Sequence, residues 1–104
     1  MDDGAKPPAW LEALEEEDLQ FLRRFLLLSG SLKDVAAEYG VSYPTVRSRL
    51  DRLIAKVKVV EEPSAQDPFE RKVRLLVADL KVPAHLGKEL LEAHRSSLRR
   101  RVAK

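Results

Sequence analysis

The chain has 104 residues, with 19 basic against 17 acidic side chains and no cysteine. The missing cysteine excludes disulfides and thiolate zinc sites, and the near balance of charge means that bulk charge does not by itself argue for nucleic acid. No apolar run approaches the roughly 20 residues of a membrane span, and the acidic, proline-bearing opening is unlike a signal peptide, so a cytoplasmic protein is expected.

In chain order, residues 1–9 read as a disordered leader ending at Pro7 and Pro8, and Trp10, Leu11 and Leu14 form an apolar entry segment. A first long helix is expected from about Glu15 to Leu28, because its Glu-Glu-Glu-Asp opening suits the positive end of the helix dipole. Leu19, Leu22, Phe25 and Leu26 make one face of it. Phe21, Leu27 and Leu28 widen that face beyond what one packing partner needs. Ser29-Gly30 breaks this helix, and Ser31 caps a second one with Asp34 in the capping-box position.

Residues 31–57, SLKDVAAEYGVSYPTVRSRLDRLIAKV, have the grammar of a helix-turn-helix. Ala36 is small where a second helix must cross closely. Gly40 allows the left-handed residue that ends a helix, and Ser42 caps the next helix with Thr45 three residues on. Val35, Tyr39, Val41, Val46 and Leu50 are expected to lock the two helices. A helix held in this way can enter the DNA major groove or can simply pack as a hairpin.

The third helix is expected to end near Val59, and the domain over 10–59 is followed by a linker at 60–66. Asp67-Pro68-Phe69-Glu70 then signals a new helix: an N-cap aspartate, proline at the first helical position and glutamate three residues after the cap. Val82-Pro83 stops it. A last helix from about Ala84 is expected to carry Leu86, Leu90, Leu91, His94, Leu98 and Val102 inward. The fold class is therefore all-α: five helices and no strand, a three-helix helix-turn-helix followed by a C-terminal two-helix hairpin over 67–104.

The run SLKDVAAEYGVSYPTVRSRLDRLI resembles the core of a bacterial domain-of-unknown-function family, number 2089. Its most specific part is Ser-Tyr-Pro-Thr-Val-Arg at 42–47 with the following Arg49-Leu50-Asp51. The resemblance reaches from about Trp10 to Val59. The family's motif is itself similar to region 4 of bacterial sigma factors, which reads the promoter −35 element, and DPFERKVRLLVADLKVPAHLGKELLEAHR resembles an extension often attached to such proteins. Many members begin with a cysteine zinc ribbon, which this sequence lacks, and the extension usually has a glycine where this chain places Leu80. The resemblance implies a DNA-binding transcriptional regulator, and the composition shows no redox or metal requirement, so no cofactor is expected.

Charge is unevenly spread. Residues 2–18 hold seven acidic side chains against Lys6 alone, whereas 42–58 and 88–104 are basic. On the third helix (42–58), Tyr43, Pro44, Thr45, Arg47, Ser48 and Arg52 are candidate base contacts, since arginine can bind guanine bidentately and short hydroxyls reach base edges or phosphate. Tyr43 can equally pack against the second helix. Ser31, Lys33, Ser42, Arg49 and Lys56 are candidate phosphate contacts, and Asp51 can orient Arg47 or Arg52, or accept from cytosine. Val46, Leu50, Leu53, Ile54 and Val57 are expected to be the buried stripe.

His85 and His94 show no metal-ligand pattern, and nothing groups a nucleophile with a base, so neither a metal site nor an enzyme is expected. The basic stretch RSSLRRRVAK can grip flanking phosphates, lie on an anionic membrane or fray. A homodimer is expected, because one helix-turn-helix usually needs a second copy for useful affinity, with the hairpin and the surplus face of the first helix as its seams. The alternative is a protein-interaction module of the same fold that binds a sigma factor, RNA polymerase or another regulator.

Overall fold

The computed structural model describes residues 6–62 and 67–102, and these form six α-helices and no strand. They are α1 (Ala9–Glu12), α2 (Glu16–Leu27), α3 (Leu32–Tyr39), α4 (Tyr43–Glu61), α5 (Pro68–Ala78) and α6 (Ala84–Val102). The helix beyond the five expected is α1. Pro8 supplies a fixed φ at its cap, and the Pro8 carbonyl accepts from the backbone of Leu11 and Glu12 at 3.0 and 3.2 Å. The leader expected over 1–9 falls on residues 1–5 outside the described residues, and Ala9 already belongs to α1. Of the linker expected at 60–66, residues 63–66 also lie outside, while α4 runs on through Glu61.

Local chemistry accounts for the helix ends. Glu15 and Asp18 form a reciprocal capping box at α2, each side chain accepting from the other's backbone N–H. Ser31 Oγ accepts from Asp34 N at α3, Ser42 Oγ from Thr45 N at α4, and Asp67 Oδ1 from Phe69 N and Glu70 N at α5. Gly40 ends α3 at φ 66°, with Val41 N donating to the Ala36 carbonyl and Gly40 N to that of Ala37.

The core sits where α1, α2, α3 and α4 meet. Leu14, Phe21, Leu32, Val35, Ala36, Val46 and Leu53 are buried, and Trp10, Leu22, Phe25, Leu50 and Val57 pack around them. Ala36 is buried as expected for the close crossing of α3 and α4. Three expected core members differ: Tyr39, Val41 and Ile54 are exposed. Tyr39 and Val41 flank the turn glycine, where the chain reverses at the surface. Ile54 lies at the edge of the α4 stripe, whose place is taken by Lys56.

The hairpin does not stand apart from the helix-turn-helix. α5 packs on the C-terminal half of α4, and α6 packs back on α5. Leu86, Leu90, Leu98 and Val102, expected to point inward, are exposed. Gly87 is the buried residue of α6, because α6 approaches α5 so closely that a Cβ there would lie 2.5 Å from Val77 Cγ2. The backbone contact that a missing side chain permits sets the face, not the leucine pattern.

The turn after α5 passes through Leu80 at φ 61°, with Leu80 N donating to Val77 O and Lys81 N to Leu76 O. The leucine thus adopts the left-handed conformation of the glycine usual in the resembling extension. That conformation costs a non-glycine residue about 1–2 kcal/mol, and Leu80 is exposed, so little packing offsets it. Leu80→Gly is expected to stabilise the protein by about 1 kcal/mol after the larger unfolded-state entropy of glycine is subtracted. Denaturant titration reads this directly; a Leu80→Gly variant with a lower midpoint would contradict it.

Carboxylates tie the hairpin together. The His94 hydrogen bond (2.7 Å) holds the Asp67 carboxyl below its ordinary 3.8. Arg95, then Arg74, holds Glu70 below 4.5. Burial pushes Asp79 up, but Lys81 and Lys56 outweigh it and leave Asp79 below 3.8. Groups with folded values below their unfolded ones stabilise above the unfolded value, and the contribution is lost as pH falls through the folded one. Hairpin amides should therefore lose exchange protection below pH about 4 before those of α3 do. Simultaneous loss at both places would refute this order.

Candidate nucleic-acid interface

α4 divides into two halves with different neighbours. Its N-terminal half begins at the Ser42 cap, with Pro44 in the first turn, and presents Tyr43, Pro44, Thr45, Arg47 and Ser48 to solvent. Tyr43 is 52 % exposed, which leaves about half of its surface to solvent. Arg47 Nε lies 3.3 Å from Asp51 Oδ1, an exposed pair one helical turn apart. Of Asp51's possible roles, orienting Arg47 is the one the geometry displays. The arginine is thereby tethered one turn along the helix while about half of its side chain stays exposed.

The C-terminal half of α4 is covered on one side by the hairpin, with Ala55 and Val59 facing α5 and α6. Two expected phosphate contacts are corrected here. Lys56 is buried, only 2 % exposed, and its Nζ lies 2.5 Å from Asp18 Oδ2, 3.4 Å from Asp79 Oδ1 and 3.8 Å from Glu15 Oε1. Arg49 turns to the same carboxylate, 3.2 Å from Asp18 Oδ1, and also neighbours Glu17 at 3.8 Å. Both cations neutralise the acidic start of α2 and are not presented to a phosphate surface. Arg52, an expected base contact, is half-buried and lines both the acidic flank beside Glu15, Glu16, Glu17 and Asp79 and the groove that holds Tyr39, Val41 and Thr45.

The remaining candidates lie at the surface or at its edge. Lys33 is exposed on the first turn of α3. Ser31 is half-buried and Ser42 exposed, and both use their oxygens as helix caps. The Ser42 and Thr45 hydroxyls are 2.8 Å apart. At the start of α4 Pro44 lacks an N–H and the Thr45 N–H is already taken by Ser42, so the hydroxyls rather than the helix end are the polar groups presented there. Lys58 was overlooked in the sequence reading. It is exposed and follows Arg47 by about three helical turns, a spacing that puts the two cations on one side of α4.

The elements that hold this surface run from the buried Leu14 through the turn at Gly40 to the last turn of α4. Residues 14–60 match the model of a family described as domain of unknown function (DUF2089)-HTH. Over these residues the chain is similar to the DUF2089 helix-turn-helix. No curated protein and no solved structure matches the chain. The matched stretch thus takes in α2, α3 and nearly all of α4, and leaves α1 and the hairpin outside it. Among the described residues no group of His, Asp and Glu could hold a metal ion, and no helix is long and apolar enough to cross a membrane.

Proposed function

We propose that the protein is a sequence-specific DNA-binding transcriptional regulator that places the N-terminal half of α4 in the major groove. The observation that supports this best is the solvent-facing first two turns of α4, where Tyr43, Thr45, Arg47 and Ser48 stand clear of the core and of the hairpin. Arg47, held by Asp51, reads a guanine, Thr45 and Ser48 reach base edges, and the Tyr43 and Pro44 carbons contact thymine methyl groups. Lys33, Lys58, Ser31 and Ser42 meet phosphates, which position the domain without specifying sequence. Two copies act together in the cytoplasm, each reading one half-site.

Fluorescence anisotropy with random duplexes and with duplexes selected from a random pool tests this reading. Arg47→Ala should cost about 1–3 kcal/mol on the selected site and little on random DNA, whereas Lys33→Ala should weaken both alike. No binding to any duplex at low salt would overturn the proposal.

A second reading, contact with a sigma factor, RNA polymerase or another regulator, is favoured by one feature. Tyr39, Val41 and Tyr43 are all exposed, and Tyr39 and Val41 line a groove of about 430 Å³ floored by Phe21 and Val46. Exposed aromatic and aliphatic anchors of this kind suit a protein partner. Val41→Ser should leave the affinity for random DNA unchanged under either reading, and a loss of partner capture without loss of DNA binding would favour the second.

A further inference from the structure

We propose that the groove between α4, α5 and α6 is a binding site for an amphipathic carboxylate, a single acyl chain with an anionic head. The groove has a volume of about 450 Å³, within the usual range for small-molecule sites. Its walls are apolar: Val59 from α4, Val73 and Val77 from α5, and Leu91 from α6. It exists because the residues at the crossings are small. Ala55, Ala78 and Ala84 leave volume that larger side chains would fill, while Gly87 lets α6 lie close against Val77 and forms the base of the groove. The floor offers no polar partner to a sugar, nucleotide or peptide backbone, so the occupant's body must be hydrocarbon.

The rim decides the head group. Arg74, Lys88 and Arg95 line the groove, with Glu92 as the acidic member. Arg74 and Arg95 both turn to the single buried carboxylate of Glu70, so two guanidinium groups share one anion. Arg74 Nε is buried and has no hydrogen-bond partner among the described residues. That nitrogen is closed off from the groove, so the head group is met by the exposed ammonium of Lys88 and by the outer edges of the two guanidinium groups, with charge assistance. A cationic amphiphile would meet Arg74 and Lys88 and be repelled. The groove lies on a different side of α6 from Leu86 and Leu90, and its site is defined without reference to DNA.

Dodecanoate at submicellar concentration is the probe, with the full chain and no DNA present. NMR titration should give saturable shifts at the methyl groups of Val59, Val73, Val77 and Leu91. Octanoate should bind at least about tenfold more weakly, as expected when four methylenes fewer are removed from water. Dodecyltrimethylammonium, with the same chain and the opposite head, should produce no comparable shifts. Arg74→Gln should weaken dodecanoate by about tenfold, and Ala84→Trp, at an exposed position on the groove mouth, should abolish binding while the fold is retained. Absence of saturable shifts, equal binding of the cationic amphiphile, or an unchanged affinity in both variants would overturn the assignment. Groove shifts that depend on protein concentration alone would overturn it too, because a second copy would then be the occupant.

Discussion

Lys56→Ala is expected to destabilise the protein by about 3–5 kcal/mol, a large share of the 5–15 kcal/mol typical of a folded domain. The cause is the charge left behind. Asp18 is 3 % exposed, Lys56 approaches it at 2.5 Å, and only the partly exposed Arg49 remains to face it once the lysine is gone. Asp79, at 3.4 Å, loses its buried partner in the same step. The network links the start of α2, the middle of α4 and the end of α5, so its loss weakens the core and the hairpin together. A melting temperature lower by more than about 10 °C should follow.

Two further variants separate charge from packing. Lys56→Met keeps most of the stem and should be about as damaging, since Asp18 is still stranded. Adding Asp18→Asn should recover a good part of the loss, so that the double variant is milder than the sum of the singles. A loss below about 1 kcal/mol in Lys56→Ala would show the pair behaving like a surface ion pair and refute this account. At temperatures where the variant is folded, its DNA affinity should be unchanged, contrary to the phosphate role that its position in a basic helix had suggested.

What could be read from the sequence was what depends on neighbours along the chain. Ser31, Ser42 and Asp67 act within three residues of themselves, and Gly40 answers a local backbone demand, so these caps and turns were legible. The all-helical class followed from them, while the resemblance to the DUF2089 helix-turn-helix rested on the particular run at 42–51. Lys56 was not legible, because its partners lie 38 and 23 residues away and a lysine beside Leu53 and Val57 reads as the rim of an apolar stripe. Its burial removes one basic side chain from the candidate site, and the pull of Asp18 on Arg49 removes another. The face of α6 was misread for a different reason. Leucine spacing was followed where Gly87, a lone glycine within a helix, was the better sign of a close crossing. Leu86 and Leu90 then remain outside.

The final expectation joins assembly to DNA affinity. With Lys56 and Arg49 held by Asp18, the exposed cations of one reading head are chiefly Lys33, Arg47 and Lys58. Of these, Lys33 and Lys58 meet phosphates, and about two such contacts predict that affinity falls about 12-fold between 50 and 200 mM salt, whereas two linked heads predict about 150-fold. We expect the steeper dependence, with two copies joined through α6. That helix is acidic at Glu89 and Glu92 and basic at Arg95, Arg99, Arg100 and Arg101, so an antiparallel mate sets opposite charges side by side while Leu86 and Leu90 leave water. Light scattering at tens of micromolar should report a dimer, and Leu86→Lys with Leu90→Lys should yield a monomer with the shallow salt slope. Replacing Arg99, Arg100 and Arg101 by glutamine tests the tail as a direct phosphate contact: the slope should flatten in step with loss of the dimer. A monomer at that concentration, or a steep slope that survives the leucine replacements, would refute the paired arrangement and leave the basic tail of α6 as the second source of phosphate contacts.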